Sequence, residues 1–157
     1  MSGPTGKPNF LRPRREFGNQ VICLAMQAAE PFAEKEISVE KVNIADKFKK
    51  ITEYWRPYIA GELNGQLVKL DKLKGEFVWH HHEHEDELFL VVKGRFRMEL
   101  RDRHIWLEEG EFLVVPRGVE HRPVADEEAW IVLFEPATTL NTGNVQNERT
   151  LHELERV

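Results

Sequence analysis

Cysteine is nearly missing from this chain. Cys23 stands alone, so no disulfide can form within it, and nothing marks an oxidising compartment. Long apolar runs are missing too: no stretch approaches the roughly 18 residues of a membrane span, and Val21 to Ala29 is broken by Gln27 and lacks a cleavage site. There is no basic excess either. Lys and Arg total 22 against 27 Asp and Glu, a net charge of -5 with no block of one sign, which offers no field to nucleic acid or an anionic membrane. Together these absences lead us to expect a soluble, cytoplasmic protein with neither nucleic-acid nor membrane partners.

What is present suffices for one globular domain. Hydrophobic residues make up 41% of 157, enough for a real core and too few residues for two domains of ordinary size. Pro4, Pro8 and Pro13 with Gly3, Gly6 and Gly18 punctuate the start too often for a long helix or central strand. Residues 1–35 therefore read as a flexible or loosely docked extension, basic through Lys7, Arg12, Arg14 and Arg15, a reading preferred over a targeting segment. Residues 36–140 read as the domain and 141–157 as a polar tail.

Ile37 to Ile44 suggests a strand and Ala45 to Trp55 a short helix. After Pro57, short β-rich runs alternate with turn residues about every ten positions, the pattern of an all-β sandwich or barrel. We expect strands at Tyr58–Leu63, Gln66–Leu73, Phe77–His82, Leu88–Val92, Arg95–Arg101, His104–Leu107, Phe112–Val115, His121–Val124 and Trp130–Phe134. Phe96, Met98 and Leu100 alternate with charged residues, so that strand has one wet face. Leu88–Val92 and Trp130–Phe134 are apolar on both faces, so their outer side needs cover, from the N-terminal segment or a partner subunit. Val78, Phe89, Val91, Phe112, Val114, Trp130 and Phe134 are the interior candidates.

The chemistry concentrates in His80-His81-His82-Glu83-His84, followed by Glu85, Asp86 and Glu87. Side chains alternate along a strand, so His80 and His82 share a face and deliver two imidazoles to one point, while His81, Phe77 and Trp79 point away. Glu87 opens the next strand, where a returning chain can set its carboxylate beside the rings. Farther on, Gly110 permits a turn into the Phe112 strand, and Pro116 with Gly118 turns the chain so that His121 can face inward. Three imidazoles and one carboxylate make a set for a divalent transition metal. His84 falls in the expected turn and reads as solvated, as do the isolated His104 and His152.

These residues resemble the two motifs of the cupin superfamily, G-x5-H-x-H-x3,4-E-x6-G and G-x5-P-x-G-x2-H-x3-N. His80, His82, Glu87 and Gly94 fit the first, with Gly75 one residue too close to His80. Gly110, Pro116, Gly118 and His121 fit the second, and Ala125 stands where the motif has Asn. The likeness is to small single-domain cupins whose metal site is similar to that of phosphomannose isomerases. It implies an antiparallel jelly-roll (double-stranded β-helix) barrel, metal ligation by His80, His82, Glu87 and His121, and a homodimer. It does not carry a substrate, since fold resemblance does not fix one. The expected cofactor is one ion of Fe, Mn, Ni, Zn or Cu, because mixed nitrogen and oxygen donors do not select among them. A metal-dependent oxygenase, or an isomerase or lyase acting on a sugar or keto acid, is the leading expectation. The alternatives are a module that uses the ion to bind or sense a small molecule, and a barrel the metal merely stabilises.

Overall fold

The computed structural model describes residues 39–157, which form one compact unit. The expected extension over residues 1–35 lies outside the described residues, as do Ile37 and Ser38 of the first expected strand; Val39 to Asn43 form no strand. A five-residue helix, α1 (Ile44–Phe48), follows, capped by the Asn43 side chain, which accepts a hydrogen bond from the Asp46 N–H. It is shorter than the expected Ala45–Trp55 because nothing sustains a second face: beyond Phe48 only Ile51 is buried before Trp55.

The rest is antiparallel β-structure: β1 (Tyr58–Leu63), β2 (Gln66–Glu76), β3 (Glu87–Lys93), β4 (Phe96–Leu100), β5 (His104–Leu107), β6 (Phe112–Val115) and β7 (His121–Pro136). They form one seven-stranded sheet in the order β1-β2-β7-β3-β6, with β4 pairing β7 and β5 pairing β4. The sheet does not close on itself, and its curl is that of a jelly roll.

Two expected strands prove to be one. The acidic stretch Asp126 to Glu128 reads like a turn, yet the chain stays extended through it and His121 to Pro136 runs unbroken. There β7 changes neighbours on one side, from β4 up to Val124 to β3 from Trp130 on, while β2 follows it on the other side with a register shift.

Conversely, Phe77–His82 is not a strand. Phe77 N–H donates to Pro123 O, and His80 and His121 exchange both backbone bonds as an isolated bridge. Pro123 has no N–H to return, so the ladder cannot grow between them.

Alternation sorts the two faces. Leu73, Phe89, Val91, Phe96, Met98, Leu107, Ile131 and Leu133 fill the interior. On the outer face, Leu70 and Val132 pack with Phe48 and Ile51, joined by Leu90, Val92, Trp130 and Val157. Phe48 stacks on Trp130 at 4.8 Å between ring centres. The cover required by the doubly apolar strands thus comes in part from α1 and the chain's last residue. Of the interior candidates, Phe89 and Val91 are core. Phe112 and Val114 are not: they are 63% and 51% exposed, because β6 turns Leu113 and Val115 inward instead. Val78, Trp130 and Phe134 are half-buried, with Trp130 on the outer face.

Candidate metal centre

Three stretches of chain converge at one end of the curled sheet. His80 and His82 come from the extended segment before the acidic turn, Glu87 from the first residue of β3 and His121 from the first residue of β7. The reciprocal bonds His80 N–H to His121 O (3.1 Å) and His121 N–H to His80 O (2.9 Å) hold two of the rings 4.3 Å apart. Gly118, at φ +78°, lets its N–H reach His82 O at 2.7 Å and so ties the third histidine to the same turn.

One nitrogen or oxygen from each of His80, His82, Glu87 and His121 lies within 4.8 Å of the others, and all four residues are buried. His82 Nε2 and His121 Nε2 stand 3.2 and 3.4 Å from Glu87 Oε2. With bonds near 2.1 Å, neighbouring ligand atoms of an octahedral ion are about 3 Å apart and opposite ones about 4.2 Å, so a small contraction would seat one ion.

The ring orientations are set from behind. His80 Nδ1 lies 3.0 Å from Val78 O and His121 Nδ1 2.9 Å from Val119 O. A carbonyl only accepts, so each neutral ring carries its proton on Nδ1 and turns the Nε2 lone pair to the site. His82 Nε2, Glu87 Oε2 and His121 Nε2 are all buried without a hydrogen-bond partner among the described residues. Such atoms are costly to leave unsatisfied, and a cation answers all three. The residues therefore fit a metal ion.

The electrostatics agree. Burial, then the neighbouring His121, lowers His80 to about 4, so it is a neutral donor at pH 7. Burial works to raise Glu87, but the His121 and His82 imidazoles beside it outweigh that effect and hold the carboxyl well below its usual range.

Beside the ligands lies a cavity of about 30 Å³, lined by His80 and Glu87, by Phe77 and Phe89, and by the buried carboxyls Asp71 and Glu135. Burial pushes Asp71 well up, against the bonds it takes from the Arg56 and Lys72 N–H groups. Phe77 is thus on the cavity side, its ring edge-on to His80 at 5.5 Å, and not behind the histidines as strand parity implies. Trp55 also borders the cavity and stacks on Phe77 at 5.1 Å. It holds φ at +59°, a strained value for a bulky residue, with its N–H on Lys72 O and its indole N–H on Lys74 O. Trp79 instead lies under Arg101, 3.9 Å from its ring. His84, His104 and His152 are exposed and His81 is half-buried, away from the cluster.

Sequence reasoning missed the polar wall of this cavity. Lys69 and Asp71 share a face with Leu67 and Leu73, and in a strand that is partly charged such residues pass for the wet side. Glu135 closes an apolar run and looks like its end. The usable signal was the flanking leucines two residues away on the same face.

A family model described as Cupin domain matches residues 66–135. The chain is 32% identical over 81 residues to the uncharacterised protein YdbB of Bacillus subtilis, spanning 51% of this chain and 72% of that one. It is 33% identical over 107 residues to an acireductone dioxygenase of Phaeosphaeria nodorum, 60% of this chain but only 59% of that enzyme. Among solved structures, a cupin-2 domain protein from Shewanella frigidimarina superimposes with a TM-score of 0.60 at 44% identity, over 60% of this chain and 93% of that one. The chain belongs to the cupin family.

Proposed function

We propose that His80, His82, Glu87 and His121 hold one divalent transition-metal ion, and that the protein is a metal-dependent enzyme of small oxygenated metabolites, an oxygenase in preference to an isomerase or lyase. The observation that carries the metal is the convergence of three buried, unpartnered ligand atoms from three parts of the chain. The preference for oxygen chemistry draws support from the likeness to an acireductone dioxygenase. A bound ion with four protein ligands would supply Lewis-acid or oxygen-activating chemistry at its remaining positions.

The chain's own groups prepare the site. Val78 O and Val119 O orient two imidazoles, and Glu87 stays ionised despite its burial. Phe77, Phe89, Leu73, Ile131 and Leu133 wall the adjoining cavity, where Asp71 can hold a proton against a substrate oxygen. A homodimer also has support: among the described residues β6 pairs only with β3, and a second copy against it would cover the exposed Phe112 and Val114.

One observation favours the non-catalytic reading. The cavity has room for a water molecule or two, less than a sugar or keto acid needs, so an enzyme must open it. Two measurements decide. Elemental analysis of protein purified without chelators should find about one transition metal per chain, and His121→Ala should lose most of it. Equal metal in both would remove the site. Oxygen uptake by the metal-loaded protein with an acireductone then separates catalysis from simple binding, since product formation excludes a mere binder.

A further inference from the structure

The interior holds an ion pair that metal ligation alone does not employ. Lys69 Nζ and Glu135 Oε1 meet at 2.7 Å with side chains only 1% and 2% exposed. A pair so deeply buried is weak ground for stability, because well-packed apolar residues in its place are often neutral or stabilising. Its location gives it another use.

Leu88 of β3 pairs with Phe134 of β7, so the next step of the same register sets Glu87 opposite Glu135. On the other side of β7, Leu67 of β2 lies opposite Glu135, and Lys69 is the next residue of β2 on that inward face. Lys69, Glu135 and Glu87 thus form a row across three adjacent strands, inside the sheet. Glu135 and Glu87 also line the same small cavity, and Glu87 is the residue that faces His82 and His121.

Resting on the metal reading above, we propose that Lys69 and Glu135 are positioning residues for Glu87: the ammonium anchors the Glu135 side chain opposite Glu87, and that anchored side chain is the stop that keeps Glu87 turned toward the three imidazoles. Glu87 has three rotatable side-chain bonds and borders a cavity, so without such a stop its carboxylate is free to swing away from the histidines. Partners behind metal ligands orient them, and removing one typically lowers metal affinity about 10- to 100-fold.

The experiment titrates metal-free protein with Co²⁺, reading both the dissociation constant and the visible absorption of the bound ion. Three variants accompany the wild type: Lys69→Met with Glu135→Leu, which fills the row with apolar atoms; Glu135→Gln, whose amide can still accept from Lys69 and donate to Glu87; and His121→Ala. We expect the double variant to keep its melting temperature or raise it, yet bind Co²⁺ about 10- to 100-fold more weakly with a changed spectrum. Glu135→Gln should stay within a few-fold of wild type with an unchanged spectrum. Wild-type affinity and spectrum in the double variant overturn the proposal while leaving the metal site standing. Should that variant not fold, Glu135→Met replaces it in the comparison with Glu135→Gln, and equal affinity of the two overturns it. If wild type shows no saturable Co²⁺ binding, or His121→Ala binds as tightly, the metal reading itself falls and this inference with it.

Discussion

His80 sits between the Phe77 ring and His121, 2% exposed, with its Nδ1 proton committed to Val78 O. Burial and His121 lower it to about 4, against the 6.5 expected of an unfolded chain. Between those values the unfolded chain binds a proton that the folded metal-free protein refuses, so acid favours unfolding there. The contribution is complete above pH 6.5, declines as the pH falls and is gone once it passes below about 4; over that window it is on the order of 3 kcal/mol. Thermal denaturation of chelator-treated protein at pH 7 and pH 4.5 should therefore show a steeper loss for wild type than for His80→Gln. Equal losses would mean that His80 does not titrate as its surroundings demand. At this scale the site was legible: the spacing of His80 to His82, the offset to Glu87 and the distant Gly110, Pro116, Gly118 and His121 single out the four residues now found together. Strand parity, however, picked the two histidines that converge with Glu87 and His121 through a strand that does not exist, and it misplaced Phe77.

Elements were legible where alternation reports one buried face and obscure where the chain changes partners. β1, β5 and β6 have the expected bounds, since turn residues flank them and the patterns are short. β7 defeats a reading by polarity, because its acidic middle is exposed yet extended. The segment after β7 carries more of the site than its polar composition suggests. Asn144 N–H donates to His81 O, and its side chain accepts from the His81 N–H, while Gly143 lies flat against the same peptide at φ +52°. A Cβ added at Gly143 would come within 2.2 Å of His81 O and 3.2 Å of His80 Cδ2, and a backbone carbonyl has no flexible end to yield. Gly143→Ala should lower stability by at least about 2 kcal/mol and weaken metal binding by shifting His80. Gly110→Ala is the control: at φ +82° with open space around it, it should cost about 1–2 kcal/mol from backbone strain alone and leave affinity unchanged. Melting curves and a Co²⁺ titration of both variants check this, and equal affinities would show that residue 143 does not set the position of His80.

Across the whole described unit, the jelly roll could be anticipated from two motifs and a strand rhythm, but its outer layer could not. Phe48 stands among lysines in Lys47-Phe48-Lys49-Lys50, where nothing local says that it will be fully buried on Trp130 more than 80 residues away. Long-range packing of that kind leaves no periodic trace. The same distance argument governs how metal and fold are coupled. The four ligands enter from the segment before the acidic turn, from β3 and from β7, so the unfolded chain holds no comparable cluster and an ion binds essentially the folded state alone. Without an ion, three buried atoms lack partners, each costing on the order of 1–3 kcal/mol. An ion at a hundred times its dissociation constant adds about 2.7 kcal/mol to folding stability, which for a unit of this size raises the melting temperature by roughly 10 °C. Calorimetry at neutral pH, with Zn²⁺ or Co²⁺ against chelator, should show that rise in wild type, growing with the logarithm of free metal, and none in His121→Ala. A wild-type melting temperature indifferent to both ions, or an equal rise in the variant, would place the protein's metal elsewhere or nowhere, and leave the buried cluster as a cost that the rest of the fold must offset.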